Sequence, residues 1–383
     1  KNMYFYSKIY KFNMIRFYFI FICFFIINFS FSQSIDSSNN LVDTNRIDID
    51  EIRFNDSIAL INKNSENLKK SRDAFNSGLL LFSDKKFGEA INLFSKAILI
   101  DSLFTQAYFA RAKCYHELEN SLAIYDYLKS FELDSSNLDP IYKLAEYYFS
   151  TDIILSRKTY STIVSLGKNE HKALAQLGVI SFLEKNYDDA IIFLSESIEI
   201  SSSAYSLNDR ASCYRKLSKF DLALEDYLSA IKINSELPFI YNNLASVYAI
   251  VGEFEKAIEY YNKAIEMDKD YTLAYNNLAC IFLDSQQYEL AAENIQNALA
   301  INSEYAPAYN NRGILKHNYE KYDEAIIDFN KAISLNNSYA KAYLNRGISK
   351  QYIRDEKGAC MDWLTAKKLG INQANKYLVY DCE

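Results

Sequence analysis

The chain has 383 residues, 49% of them hydrophobic, with only 9 glycines and 3 prolines. That much apolar material excludes global disorder, and so few turn residues exclude a sandwich, a barrel or a βαβ sheet, each of which needs many tight turns. The net charge is −7, and because residues 1–32 carry Lys1, Lys8, Lys11 and Arg16 and no acid, the remainder is at −11, which argues against binding to nucleic-acid phosphates.

The first predicted element is an export signal. A basic stretch ends at Arg16, an apolar run covers residues 17–29, and Ser30, Phe31 and Ser32 follow with small residues where a signal peptidase reads. Residues 1–32 are therefore expected to be a secretory signal peptide cleaved after Ser32, giving an exported, periplasmic or extracellular protein of bacterial type. The run of 13 apolar residues falls short of the roughly 20 that span a bilayer. Only an uncleaved signal would make the membrane a partner. Residues 33–65, rich in Ser, Asn and Asp without an apolar period, are expected to be a flexible linker.

One pattern then recurs to residue 370. A small residue repeats at Ala90, Ala123, Ser156, Ala190, Ala223, Ala257, Ala291, Ala325 and Ala359, spaced by 33 or 34. Four residues after each stands a large one, such as Phe94, Tyr227, Phe329 or Trp363, and about twelve before each stands another small one, such as Gly78, Ala245 or Gly347. Apolar spacings of three and four within a unit are helical. Each unit thus reads as two helices joined by a short turn, with small residues letting the backbones approach. One such hairpin cannot bury its own apolar face, so the units must stack.

The predicted architecture is an all-α α-solenoid superhelix of about nine stacked helix-turn-helix units. The array covers 66–370, with units 1 to 9 near 71–104, 105–137, 138–170, 171–203, 204–237, 238–271, 272–305, 306–339 and 340–370. Pro140, Pro238 and Pro307 all fall at unit starts, where a first helical turn tolerates proline. Residues 371–383 read as a C-terminal cap over the last apolar face.

The phrase AYNNLASVYAIVGEFEKAIEYYNKAIEMD resembles the tetratricopeptide repeat family. The resemblance covers about residues 71–370, although the family's proline after the second helix is mostly replaced and unit 3 keeps only part of the pattern, with Ser156 and Ile163 at small positions. A local irregularity is expected there. The resemblance implies a non-catalytic interaction scaffold that binds a peptide segment or a partner protein along its concave groove. The other reading is a structural or membrane-tethered subunit of a cell-envelope assembly, working through its convex face or its ends.

Two internal patterns single out residues. Asn208, Asn242, Asn276 and Asn310 recur 34 apart on first helices, and Asn243, Asn277, Asn311 and Asn345 form a second row, with Asp209 at its head. The resemblance places these positions on the concave groove, where primary amides can donate to and accept from a peptide backbone. The rows resemble the asparagine ladder of O-linked N-acetylglucosamine transferases, and they also fit a chain rich in Asn throughout. Separately, units 2, 5, 8 and 9 alone carry an arginine before the small residue of the first helix and an aspartate on the second: Arg111 with Asp126, Arg210 with Asp226, Arg312 with Asp328, and Arg346 with Asp362. This co-occurrence predicts structural ion pairs, within a unit or between neighbours; the alternative is that the arginines bind an acidic ligand.

Of the 6 cysteines, Cys114, Cys213 and Cys280 sit beside small core positions and read as buried thiols. Cys360 and Cys382 either form a disulfide that staples the cap or remain two free thiols. The 3 histidines lie in different units without metal spacing, and neither a phosphate loop nor a nucleophile elbow is present. The sequence therefore predicts no catalytic residue, no metal and no cofactor. The expected partner is a protein or peptide, with neither nucleic acid nor a small-molecule substrate.

Overall fold

The computed structural model describes residues 44–167 and 170–382. The predicted signal peptide and the linker up to residue 43 lie outside the described residues. The chain divides into two compact units between Lys70 and Ser71, and each is described by itself.

In the first, residues 44–65 differ from the expected flexible linker: they belong to one helix, Thr44–Ser83. No glycine or proline interrupts 44–77. A polar stretch without breakers extends a helix readily once a nucleus exists, because each further residue gains a hydrogen bond for little added entropy loss. Side chains 56–70 are exposed to solvent.

From Ser71 onward the described residues form helices and turns, with no strand among them. Unit 1 pairs the end of the long helix with Phe87–Ile100. Units 2 to 5 pair Thr105–Glu117 with Leu122–Leu133, Asp139–Thr151 with Ile153–Ser165, Glu170–Leu183 with Tyr187–Ile200, and Ala204–Lys216 with Phe220–Ile233. Units 6 to 9 pair Pro238–Ile250 with Phe254–Met267, Thr272–Asp284 with Tyr288–Ile301, Ala306–Asn318 with Tyr322–Leu335, and Ala340–Tyr352 with Glu356–Lys368. Each second helix also packs against the first helix of the next unit, so the core runs continuously along the array.

The small residues do what their spacing predicts. Every ladder alanine, and Ser156, is fully buried. A Cβ added at Gly78 would meet Phe94 at 2.6 Å, one at Gly178 would meet Leu194 at 2.5 Å, and one at Gly313 would meet Phe329 at 2.6 Å. The large residue of the second helix thus fills the space left by the missing side chain. Phe94, Tyr227, Phe329 and Trp363 are almost wholly buried, and each such side chain contributes roughly 1.5–3 kcal/mol of hydrophobic free energy.

Unit 3 is irregular at its turn. Only Asp152 separates its two helices, and its carboxylate caps the second by accepting from the backbone N–H groups of Ile154 and Leu155 at 3.0 and 3.1 Å. Ser156, in the place of a ladder alanine, satisfies its buried hydroxyl by donating to the Ala145 carbonyl at 2.9 Å. The other eight units turn through a left-handed residue: Gly252 in unit 6, and Lys85, Glu119, Lys185, Ser218, Gln286, Glu320 and Arg354 elsewhere, at φ of 52–64°. An L side chain in that region costs about 1–2 kcal/mol, and glycine returns part of that gain as backbone entropy, about 0.5–1 kcal/mol. Lys185→Gly and Gln286→Gly are therefore each expected to stabilise the array by about 0.5 kcal/mol. Chemical denaturation measures this, and a loss of stability would show that these exposed side chains contribute more than their backbone strain.

After Gly370 the chain makes a 3-10 turn, Asn372–Ala374, and a short helix, Asn375–Asp381. Ala374 is buried, and Tyr377 stacks on Trp363 with ring centroids 4.9 Å apart. Cys360 and Cys382 are joined in a disulfide that ties this segment to the second helix of unit 9.

Candidate functional site

The face carried by the first helices is the natural place to look for a site, and it changes character along the array. In units 5 to 9 it holds the asparagine rows. The structure turns these amides toward one another. Nδ2 of Asn243 donates to Oδ1 of Asn208 at 3.0 Å, Asn277 to Asn242 at 3.0 Å, Asn311 to Asn276 at 2.9 Å and Asn345 to Asn310 at 2.9 Å. Each bond crosses from one unit to the unit before it. Asn208, Asn242, Asn276, Asn310 and Asn311 are buried, while Asn243, Asn277 and Asn345 are half-buried.

The rows also bond sideways. Asn208 donates to Asp209 at 3.0 Å, Asn242 to Asn243 at 3.4 Å and Asn310 to Asn311 at 3.5 Å. Burial holds the Asp209 carboxyl above its ordinary value, against the opposing hydrogen bond from Asn208. A buried amide must find partners, because an unsatisfied one costs about 1–3 kcal/mol. A regular 34-residue spacing lets each amide find its partner in the neighbouring unit. The rows are thus a polar seam between units, which spacing alone did not reveal.

The four arginine–aspartate pairs form within units. Arg111 holds Asp126 through Nε at 2.7 Å and Nη2 at 2.9 Å, and Arg210 holds Asp226 at 2.7 and 2.8 Å. Arg312 and Arg346 grip Asp328 and Asp362 in the same two-pronged way. All four aspartates are buried. Nη1 then reaches the second helix of the preceding unit, donating to Ser95 from Arg111, Ser195 from Arg210 and Asn330 from Arg346. In units 8 and 9 a lysine joins the carboxylate, with Lys316 2.9 Å from Asp328 and Lys350 3.0 Å from Asp362. Planar guanidinium donors suit this geometry, so the pairs of Arg111, Arg210 and Arg346 each tie three helices together.

In units 2 to 4 the same repeat positions carry other residues. Phe109 and Tyr142 stand where the asparagines of the first row would be, and Lys143 stands in the second row. A cavity of about 590 Å³ opens there between the first helices of units 2, 3 and 4, and its lining includes Phe109, Lys113, Tyr142, Lys143, Glu146 and Lys172. Lys113 sits between two rings, 5.1 Å from that of Phe82 and 5.0 Å from that of Phe109. Lys143 pairs with Glu146 at 2.6 Å, while Lys113 and Lys172 make no ion pair among the described residues. Sequence reasoning passed over this region. The available signal was the replacement of Asn by aromatic and cationic residues in a register already known from units 5 to 8.

Burial raises all three free thiols among the described residues. Burial pushes Cys114 up to about 11 and Cys213 up to about 12. Cys280 is also raised by burial, against a hydrogen bond from Asn311.

Comparison with known proteins fits this geometry. Two tetratricopeptide repeat family models match the chain, one at residues 238–271 and 306–339 and the other at 204–237 and 273–305. Units 5 to 8 are therefore tetratricopeptide repeats, set in an all-α solenoid of like units. The crystal structure of a tetratricopeptide repeat protein from Parabacteroides merdae aligns with a TM-score of 0.56 at 18% identity, covering 63% of this chain and 98% of that one. The crystal structure of the APC/C hetero-tetramer Cut9-Hcn1 aligns with a TM-score of 0.56 at 14% identity, covering 82% of this chain and 76% of that one. At these identities the likeness is one of fold. Among curated proteins none matches the chain in sequence.

Proposed function

We propose that the protein is a non-catalytic scaffold that holds an extended segment of a partner protein on the first-helix face of units 2 to 4. Tetratricopeptide repeats commonly mediate protein–protein interaction, which gives the general class. The observation that carries the location is the change along that face. The amides of units 5 to 9 are engaged with one another, whereas units 2 to 4 present an open cavity with aromatic rings and ammonium groups. Aromatic residues give contact area with little rotamer entropy to lose, and Lys113 and Lys172 supply donors for backbone carbonyls or acidic side chains of the partner.

Export is part of the proposal. The basic-then-apolar pattern of residues 1–32 supports it. So does the Cys360–Cys382 disulfide, since such bonds persist in oxidising compartments. An intact mass beginning at Gln33 is the expected outcome for protein taken from its source cell.

A displayed library of linear peptides, selected on the full chain, tests the binding face. Selected peptides are expected to lose at least about tenfold in affinity, or 1.4 kcal/mol, when Lys113 and Tyr142 are both changed to alanine. Peptides indifferent to that double change, or a library that yields no binder, would place function elsewhere on the solenoid.

A further inference from the structure

One of the four arginines departs from the common arrangement. The residue five positions beyond the ladder alanine of the preceding unit accepts Nη1 of Arg111, Arg210 and Arg346: it is Ser95, Ser195 and Asn330 in turn. For Arg312 that register position is Gln296. Arg312 uses Nε and Nη2 on Asp328, and its Nη1 has no hydrogen-bond partner among the described residues. Its side chain is 39% exposed, against 17%, 20% and 17% for the other three.

Arg312 lines a cleft. Between the second helix of unit 7 and the first helix of unit 8 lies a cavity of about 450 Å³, with Ile295, Leu299 and Leu315 as apolar walls and Gln296 beside Arg312. Among the described residues Arg312 is the only charged one that lines it. Its usual counter-ion is already shared, because Asp328 also accepts Lys316 at 2.9 Å. The ring of Tyr309 lies 4.9 Å from the guanidinium carbon and helps hold the group in place.

We infer that this cleft between units 7 and 8 is a second binding site, separate from the first-helix face, for a carboxylate carried on an aliphatic side chain or chain end of a partner protein. The carboxylate accepts from Nη1 of Arg312 and from the amide of Gln296, and the aliphatic part lies against Ile295, Leu299 and Leu315. A cationic donor in an otherwise uncharged apolar cleft selects this combination: charge-assisted hydrogen bonds are roughly twice as strong as neutral ones, and the apolar walls reward removal of the alkyl group from water.

The test uses the full chain with labelled Ile and Leu methyl groups, titrated by NMR with 4-methylpentanoate and, separately, with its neutral amide. A ligand of this size has millimolar affinity at ordinary ligand efficiency. The expected result is saturable movement of the Ile295, Leu299 and Leu315 methyls by the carboxylate, with the amide at least about tenfold weaker. Gln296→Asn supplies Nη1 with the kind of acceptor that Asn330 gives Arg346. It is expected to lower carboxylate affinity about tenfold while helical signal and melting temperature stay unchanged. No saturable shift with the carboxylate, equal affinity for acid and amide, or full binding by the folded Gln296→Asn variant would each overturn the assignment.

Discussion

Asp362→Ala is expected to destabilise the array by about 3–5 kcal/mol, the cost of leaving buried charge without its partner. Asp362 is 3% exposed and receives Arg346 in two-pronged fashion as well as Lys350 at 3.0 Å. Arg346 and Lys350 are themselves largely covered, at 17% and 19% exposure, so removing the carboxylate strands two cations against the second helix of unit 9. Asp126→Ala strands only Arg111 and is expected to cost less. The decisive control is the pair Arg346→Met with Asp362→Leu. Replacing a buried ion pair by apolar residues is often neutral, so the double variant is expected to recover the part of the loss that Arg346 carries, while Lys350 stays without its carboxylate. Urea titration of the three proteins measures this. An Asp362→Ala variant as stable as the parent would show that these carboxylates do not hold the helices together.

Changing Asn243, Asn277 and Asn311 together to alanine is expected to cost at least about 3 kcal/mol, at roughly 1 kcal/mol or more for each lost inter-unit bond and orphaned acceptor. These three amides donate across the unit boundaries to Asn208, Asn242 and Asn276. Asn208, Asn242 and Asn276 are buried, so their carbonyl oxygens cannot turn to water for replacement. Hydrogen exchange is expected to rise first along the first helices of units 5 to 8, where the seam runs. Peptides captured by units 2 to 4 are expected to bind this variant with unchanged affinity. A triple variant of full stability that loses peptide binding would return the asparagines to the role of an open ladder.

The repeats made much of this protein legible from one sequence, because nine similar units serve as an alignment within a single chain. The helical hairpins followed from apolar spacings of three and four, and the small-against-large packing followed from fixed offsets such as Gly313 and Phe329. The arginine–aspartate pairs could be read because both residues appear in the same four units and are absent from the others. A polar pair that must be buried together leaves this mark, since either half alone would be costly.

Other features were hidden for a shared reason. Asn208 and Asn243 carry the same side chain, and a primary amide pairs with itself as well as with a peptide, so residue type could not say which partner it takes. Residues 44–65 are polar by composition, yet nothing among them breaks a helix. Beside Arg312, Gln296 does not accept from Nη1 as Ser95, Ser195 and Asn330 do from the other three arginines, a difference that residue type did not announce. Periodicity and side-chain volume by themselves determined the solenoid and its core, because stacking similar hairpins buries their apolar faces. Which polar groups satisfy one another and which remain open to a partner was decided only by the tertiary structure, because hydrogen bonds depend on distances of a few tenths of an ångström that spacing along a chain does not carry.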